Sequence, residues 1–350
     1  MAHPIAFPIH RLTLSLVLVF VLAACAPRDV AQQAAPSPLA TAERIYVATE
    51  LEMDNLGPIF GQERPEGLKF LHVDVSVPPT HTPGNVEWPE GAPDAGKHFV
   101  YTDAKVYRNA PDMIRQMRAD MPFPETLVYV HGYNVTFSDS VFRLAQIRAD
   151  FGVEGPAVLY SWPSAGDPRG YAYDRDSVLY SRDDFEQVLN ALTSNPNRRV
   201  LLLAHSMGAQ LVMETLRQAA RGGNRRMLDR INGVVLMSPD IDPDVFRRQA
   251  EAIGELPDPF LIFVSQQDRA LSLAGFLTGR KPRLGVIDGP EQVEGLDVQV
   301  IDFTALAEDE GLNHSVPVSS PAAISVLRGM VEQSRSGVST FQDYMVLGPN

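Results

Sequence analysis

The chain has 350 residues, 45% of them hydrophobic, so it can bury a substantial core and suits one large domain better than two small ones. Its 43 acidic residues against 30 basic ones give a net charge of −13, which argues against nucleic acid or an anionic membrane surface as a partner. A single cysteine excludes an internal disulfide framework.

The N-terminus predicts a targeting segment. Residues 1–24 carry Arg11 and no acidic residue, and the stretch from Leu12 to Ala24 is almost wholly apolar. Such a run is too short to span a bilayer but has the length of a signal-peptide core. We therefore predict a signal peptide over residues 1–24.

This segment ends in Leu22-Ala23-Ala24-Cys25, which resembles the lipobox of bacterial lipoproteins, whose cysteine is lipidated and becomes the mature N-terminus. The resemblance implies a lipid anchor at Cys25 and a place in the bacterial cell envelope. Because Ala26 rather than an aspartate follows the cysteine, it points to the outer membrane, facing the periplasm. The alternative is an ordinary secretory signal cleaved near Ala24 or Ala26.

The next segments predict a spacer and then short strands. Residues 25–42 are rich in Ala, Pro and Gln and lack periodicity, which favours a flexible tether. From about residue 43 to residue 108, strand patterns such as Leu68–Val77 alternate with loops rich in Pro and Gly, and a long excursion runs from Pro78 to Gly96. These patterns resemble the antiparallel opening strands of a larger sheet.

The centre of the chain alternates strand and helix patterns. Thr126–Val130 is an apolar, β-rich run that ends in the loop residues 131–134, and Ala157–Pro163 is a second strand that runs into a loop. Apolar residues at helical spacing follow each of these strands. The alternation predicts a mostly parallel central sheet with helices on both faces.

The most informative motif is the pentapeptide Ala204-His205-Ser206-Met207-Gly208. It follows the apolar run Arg199–Leu203 and opens a helical pattern over Ala209–Ala220. A small-x-Ser-x-Gly step between strand and helix is typical of a nucleophile elbow, in which a sharp turn raises the serine hydroxyl above the sheet. The alternative is a serine that only caps a helix after a buried strand.

Two later strands end near polar residues that are candidate partners of Ser206. The strand Phe260–Val264 is followed by Asp268, and the strand Val298–Phe303 leads to a polar loop that holds His314. One strand earlier, the run Ile231–Met237 is followed by Asp240 and Asp242.

The remaining segments limit the architecture. The stretch from Asp240 to Pro259 has room for one short helix only, so no large cap domain is predicted. Ser320-Pro321 begins a final helix, with serine at the N-cap and proline in the first turn. The predicted boundaries are therefore a folded domain over residues 43–333 and a poorly structured C-terminal tail over residues 334–350.

Together, the AHSMG elbow, the HGYN loop, the YSWPSAG strand end, the SPDID turn and the NHS loop are similar to those of a bacterial esterase- and lipase-like branch of the α/β-hydrolase superfamily. The similarity covers roughly residues 43–331. It implies an α/β-hydrolase fold and a serine hydrolase triad. The chain order Ser206, Asp268, His314 is that of the triad in this superfamily.

A serine hydroxyl is a poor nucleophile at neutral pH, so it needs a base within hydrogen-bond reach and an acid that orients the base. His314 lies where the fold requires the base, and His81 is its rival. Asp268 is the favoured acid, with Asp240 and Asp242 as alternatives.

The oxyanion of the intermediate needs two hydrogen-bond donors. We expect them to be the backbone N–H groups of Tyr133 and Met207, the second of which lies at a helix N-terminus. His205 precedes the nucleophile on the strand side and is expected to point away from the site. His131 is expected to brace the oxyanion loop, and Trp162 to pack in the core.

These residues predict acyl transfer from a small-molecule or lipid ester to water. A thioesterase or an amidase with the same triad is a second hypothesis, and a catalytically silent envelope protein that binds a partner is a third. No cluster of Cys and His residues or of carboxylates in the sequence indicates a metal site, and no cofactor is predicted.

Overall fold

The computed structural model describes residues 31–54, 57–58, 64–65, 67–279, 281–307, 311–335 and 344–347. The predicted signal peptide and Cys25 lie outside these residues. The folded unit that contains the described elements begins at Gln32. Among the described residues, no helix combines the length and the apolar character needed to cross a membrane.

Within the described residues, ten strands form one sheet, in the order β12-β11-β10-β9-β8-β6-β7-β1-β4-β5, and β2 and β3 form a separate two-stranded ladder. Strand β4 runs antiparallel to both of its neighbours, and the other pairings in the large sheet are parallel. The strands are β1 (Thr41–Thr49), β2 (Met53–Asp54), β3 (Gly57–Pro58), β4 (Lys69–Val77), β5 (Val100–Tyr107), β6 (Glu125–Val130), β7 (Ala157–Ser161), β8 (Arg199–His205), β9 (Ile231–Met237), β10 (Phe260–Val264), β11 (Gln299–Asp302) and β12 (Tyr344–Val346).

Helices connect the parallel strands. They are α1 (Ala110–Asp120), α2 (Phe137–Phe151), α3 (Tyr171–Leu192), α4 (Met207–Arg221), α5 (Arg225–Leu228), α6 (Pro243–Ile253), α7 (Arg269–Leu277), α8 (Val316–Ser319) and α9 (Pro321–Arg335). Short 3₁₀ helices cover Leu284–Val286, Pro290–Gln292 and Thr304–Leu306. The strand pairings confirm the predicted mostly parallel sheet. In the stretch from Asp240 to Pro259, where no large cap domain was predicted, the structure has one helix, α6.

Alternate residues of the central strands face different helix layers, as the period of two in a strand requires. In β6 and β8, Val128, Val130, Leu202 and Ala204 belong to one buried cluster that residues of α3 and α4 complete. The other face is covered by α2, which contacts β1, β4 and β7, and by α9, which contacts α2. Helices thus lie on both faces, as predicted.

Two predicted segments differ from the structure, and in both cases an edge strand is the reason. Within the predicted tether 25–42, the Tyr101 N–H donates to Gln32 O at 3.1 Å and the Ala34 N–H donates to Tyr101 O at 3.0 Å. Within the predicted unstructured tail, β12 pairs with β11. An edge strand offers unpaired backbone groups to any nearby segment, and the composition of neither segment reveals that pairing.

Candidate active site

Backbone strain is concentrated at the edge of the sheet where the central parallel strands have their C-terminal ends. Among the described residues other than glycine, positive φ angles occur at Asn134 (58°), Ser206 (53°), Ser238 (45°) and Asn313 (54°). The first three follow β6, β8 and β9, and Asn313 directly precedes His314. Such conformations cost about 1–3 kcal/mol each and cluster at functional sites, which marks this edge as the candidate site.

Ser206 occupies the sharp turn between β8 and α4 that the pentapeptide predicts, with φ 53° and ψ −121°. The turn is held from both sides, because the Ser206 N–H donates to Met237 O at 2.9 Å and the Asp240 N–H donates to Ser206 O at 3.1 Å. Met207 is the first residue of α4, and the N–H of a first helical residue has no acceptor within its own helix.

Two glycines allow the loop after β6 to approach the elbow closely. A Cβ atom added to Gly208 would lie 2.6 Å from Val130 O, and one added to Gly132 would lie 2.9 Å from the Cβ of Ser206. A Cβ atom is essentially never found this close to a non-bonded atom, so both positions need glycine. Tyr133 follows Gly132 and therefore lies beside the turn at Ser206.

The structure brings Asp268 and His314 together. Oδ2 of Asp268 lies 2.7 Å from Nδ1 of His314, and Oδ1 accepts the Leu271 N–H at 2.9 Å as the N-cap of α7. The Asp268 side chain is fully buried and the His314 side chain is 20% exposed. Because the first carboxylate oxygen is committed to the helix cap, only the second faces the imidazole.

His205 does not point away from the site, so that prediction is wrong. Its Nε2 lies 3.0 Å from His314 O, and the two imidazole rings are 4.6 Å apart at 51°. Burial lowers the pKa of His205 to about 3. Sequence reasoning missed this orientation, although the alternation of side chains in β8 indicates it. The alternation places His205 on the same face as Leu201 and Leu203, and these two residues line a cavity together with Val318, which follows His314.

The two alternative acids have other partners. The Asp240 carboxylate accepts from Arg283 Nε at 2.5 Å and from the Tyr171 hydroxyl at 2.8 Å, and both Asp240 and Arg283 are buried. Asp242 caps α6, where its Oδ1 accepts the Asp244 N–H at 2.9 Å. Of the three candidate acids, Asp268 is the one in contact with a histidine.

Two other candidate histidines, His81 and His131, have structural contacts. His81 lies between Glu87 Oε2 at 2.8 Å and Asp150 Oδ1 at 3.0 Å, and these carboxylates raise its pKa against the effect of burial. His131 stacks on Trp162 with ring centroids 4.9 Å apart, and Trp162 Nε1 donates to His131 O at 2.8 Å. His131, at the start of the loop after β6, is therefore held by Trp162.

Asp174 on α3 is a further buried carboxylate that the sequence did not reveal. It accepts the Asn134 N–H at 3.2 Å, the Ala165 N–H at 2.7 Å and the Ser164 hydroxyl at 2.6 Å, and burial raises its pKa. It thereby ties the loop after β6 to the loop after β7. Its partners lie on two segments, Asn134 on one and the adjacent Ser164 and Ala165 on the other, so sequence spacing gives no sign of this role.

The chain matches the family model described as "Alpha/beta hydrolase of unknown function (DUF900)" over residues 110–334. This match spans well over half of the chain and includes Ser206, Asp268 and His314. The chain belongs to this family. The match confirms the α/β-hydrolase superfamily and makes the protein a hydrolase by family, and the strained serine at its elbow agrees with that membership. No curated protein matches the chain.

Solved structures to which the chain is similar include several esterases and a dienelactone hydrolase. Carboxyl esterase 2 of the mycorrhizal fungus Tuber melanosporum shares 11% identity, over 96% of this chain and 100% of that chain, with a TM-score of 0.40. An esterase B from Lactobacillus rhamnosis shares 14% identity over 94% and 97% of the two chains, with a TM-score of 0.37. The dienelactone hydrolase of Anabaena variabilis shares 11% identity over 75% and 90%, with a TM-score of 0.37.

In the part of this hydrolase that the structure describes, one group of possible metal ligands occurs, away from the elbow. Ligand atoms of His72, Asp74 and Asp103, on β4 and β5, lie within 4.8 Å of one another. Both oxygens of Asp74 are bound by the guanidinium of Arg44, at 2.7 Å each. A cation there would compete with Arg44 for the same carboxylate, so these residues fit an ion pair better than a metal.

A cavity of about 500 Å³ lies between the sheet and the layer of α2 and α9. Its lining is largely apolar and contains none of Ser206, Asp268 and His314. The strand residues among its lining are Glu125, Leu127, Leu201, Leu203, Val235, Met237, Leu261, Phe263 and Ile301. We therefore place the chemistry at the strained edge of the sheet rather than in this cavity.

Proposed function

We propose that the protein is a serine hydrolase that cleaves carboxylic esters, with Ser206 as nucleophile, His314 as base and Asp268 as acid. The observation that carries the proposal is the 2.7 Å contact between Asp268 Oδ2 and His314 Nδ1. The main chain of His314 also contacts His205, the residue directly before Ser206. Ser206 itself stands in the strained turn that a nucleophile elbow requires.

The Asp268 carboxylate can only accept a hydrogen bond, so it fixes the proton of His314 on Nδ1. Nε2 then has its lone pair available for the proton of Ser206. The Ser206 oxygen attacks the ester carbonyl carbon, His314 passes the proton to the leaving alcohol, and an acyl-enzyme remains. His314 next takes a proton from water, whose oxygen attacks the acyl carbon, and Ser206 regains its proton.

The negative oxygen of each tetrahedral intermediate requires fixed donors. We assign this role to the backbone N–H groups of Met207 and Tyr133. Two features support it: Met207 begins α4, where the helix dipole favours negative charge, and Gly132 brings the neighbouring loop within contact of Ser206. The side chain of Tyr133 bonds to Pro168 O, which fixes that loop on its far side.

The test compares the wild type with Ser206→Ala on a panel of acyl esters. Triad members act as a unit, so we expect a loss of about 10⁴-fold in kcat. Wild-type activity in the variant would refute the assignment. A thioester and an amide in the same panel separate those chemistries from ester cleavage, and failure of a fluorophosphonate probe to label the wild type would favour the silent binding protein.

We further propose that Cys25 carries a lipid that anchors the protein in the bacterial envelope, at the outer membrane. Each acyl methylene that enters the bilayer contributes about 0.8 kcal/mol, so two or more chains hold a protein stably. Cys25→Ser should release the protein from the membrane fraction and leave ester hydrolysis unchanged. A wild type that fractionates as a soluble periplasmic protein would contradict the anchor and leave the triad assignment untouched.

A further inference from the structure

The residue directly before the proposed nucleophile holds the loop of the proposed base. Nε2 of His205 lies 3.0 Å from the main-chain oxygen of His314. A carbonyl oxygen can only accept, so Nε2 of His205 must carry a proton and donate it. His205 is 9% exposed, and its burial keeps the ring neutral, with a pKa of about 3.

The imidazole of His205 lies between two loops of the site. On one side its ring packs against the ring of His314, with centroids 4.6 Å apart. On the other side, a Cβ atom added to Gly132 would lie 3.0 Å from Nδ1 of His205. One side chain therefore sets the spacing between the loop of the base and the loop of the oxyanion hole.

The loop of His314 has a second attachment, through the residue that follows the proposed acid. The Arg269 N–H donates to Leu312 O at 3.0 Å, and Arg269 Nη1 donates to Gly311 O at 3.1 Å. These bonds hold the start of the loop, whereas His205 bonds the main chain of His314 itself. The loop is thus fixed by Arg269, which follows Asp268, and by His205, which precedes Ser206.

We propose that His205 is a positioning residue, which holds the main chain of His314 through a neutral Nε2–H and so places the base at the nucleophile. Asp268 orients the ring of His314, and His205 fixes the backbone from which that ring extends. The inference rests on the proposed function, because a base that serves no reaction needs no such placement. A displacement of about 1 Å in a reacting group costs on the order of 100-fold in rate, so this bond acts on kcat.

A matched pair of variants tests the donor separately from the volume. His205→Gln keeps an N–H donor near the place of Nε2, whereas His205→Met has a similar size and no donor. We expect His205→Met to lower kcat by about 10- to 100-fold, with KM changed less than about twofold, because substrate binding does not use this bond. We expect His205→Gln to keep kcat within about threefold of the wild type.

His72→Met is the control for a buried histidine outside the site. His72 is 3% exposed and its Nδ1 bonds to the Tyr107 hydroxyl at 2.5 Å. This variant should lose stability and keep the kcat of the wild type when folded. Thermal melting of every variant distinguishes lost structure from lost rate.

The outcomes separate this inference from the proposed function. If His205→Met is folded and as active as the wild type while Ser206→Ala is inactive, the positioning role is refuted and the triad stands. If Ser206→Ala is fully active, the proposed function fails. If His205→Met does not fold, ring ¹⁵N shifts of the wild type decide the matter: a neutral Nε2–H form of His205 between about pH 5 and pH 8 supports the role, and an Nδ1–H form refutes it.

Discussion

Replacing Asp268 by asparagine tests the proposed acid with the smallest change in shape. The two carboxylate oxygens have separate partners, Leu271 N at 2.9 Å and His314 Nδ1 at 2.7 Å. An asparagine has one oxygen and one NH₂ group. If its oxygen keeps the helix cap, as the Leu271 N–H requires, the NH₂ group must face Nδ1 of His314.

In that arrangement Nδ1 must accept a hydrogen bond, so the proton of the neutral imidazole moves to Nε2. A protonated Nε2 cannot take the proton of Ser206, and the base is lost while the fold is kept. We expect kcat to fall about 10⁴-fold, equivalent to about 5 kcal/mol of transition-state stabilisation. The reverse orientation would set two donors against each other at the cap and cost about 1 kcal/mol of stability.

The assay is kcat on one soluble ester, with thermal melting of each variant as the check on folding. Asp242→Asn is the matched control, because Asp242 also caps a helix, α6, and has no histidine partner among its described contacts. Asparagine caps about as well as aspartate, so this control should keep both activity and stability. A folded Asp268→Asn variant with kcat within about tenfold of the wild type would refute the assignment of the acid.

Three further predictions follow from the described contacts. In the ester assay, His314→Ala should lower kcat as far as Ser206→Ala does, whereas folded His81→Ala should keep the kcat of the wild type. An inactive His81→Ala beside an active His314→Ala would reverse the assignment of the base. Burial raises the pKa of Glu50 from 4.5 to about 7, so the folded state binds more protons than the unfolded state between these values, and the stability that this group contributes is lost as pH rises through about 7. Glu50→Gln removes this titration, so the free energy of unfolding of the variant minus that of the wild type, measured in urea, should rise by about 3 kcal/mol from about pH 4 to pH 8. A difference that stays constant with pH would contradict the reasoning. Gly132→Ala should lower kcat about 100-fold or more, because its Cβ would meet the Cβ of Ser206; unchanged kcat in the folded variant would show that the two loops separate without consequence.

Local pattern was enough to predict the fold class and the elbow. Each parallel strand is a short apolar run followed by residues at helical spacing, and that pattern depends only on near neighbours in sequence. The turn at Ser206 was also predictable, since the small residue Gly208 after it is a direct requirement of the backbone geometry. Chain order suggested Asp268 and His314 as partners, although they are 46 positions apart.

Contacts between distant segments were decided by the tertiary structure alone. The orientation of His205 toward His314, the anchoring of two loops by Asp174, and the pairing of β12 at the sheet edge each join residues with no fixed sequence spacing. Asp240 and Asp268 both follow buried strands, so sequence favoured Asp268 but left Asp240 open as an alternative. The choice comes from Arg283, 43 positions after Asp240, whose guanidinium binds that carboxylate and leaves Asp268 as the one that meets a histidine. Sequence thus determined which elements form and where they turn, because that depends on local sterics and periodicity, whereas side-chain pairing depends on which strands become neighbours in space.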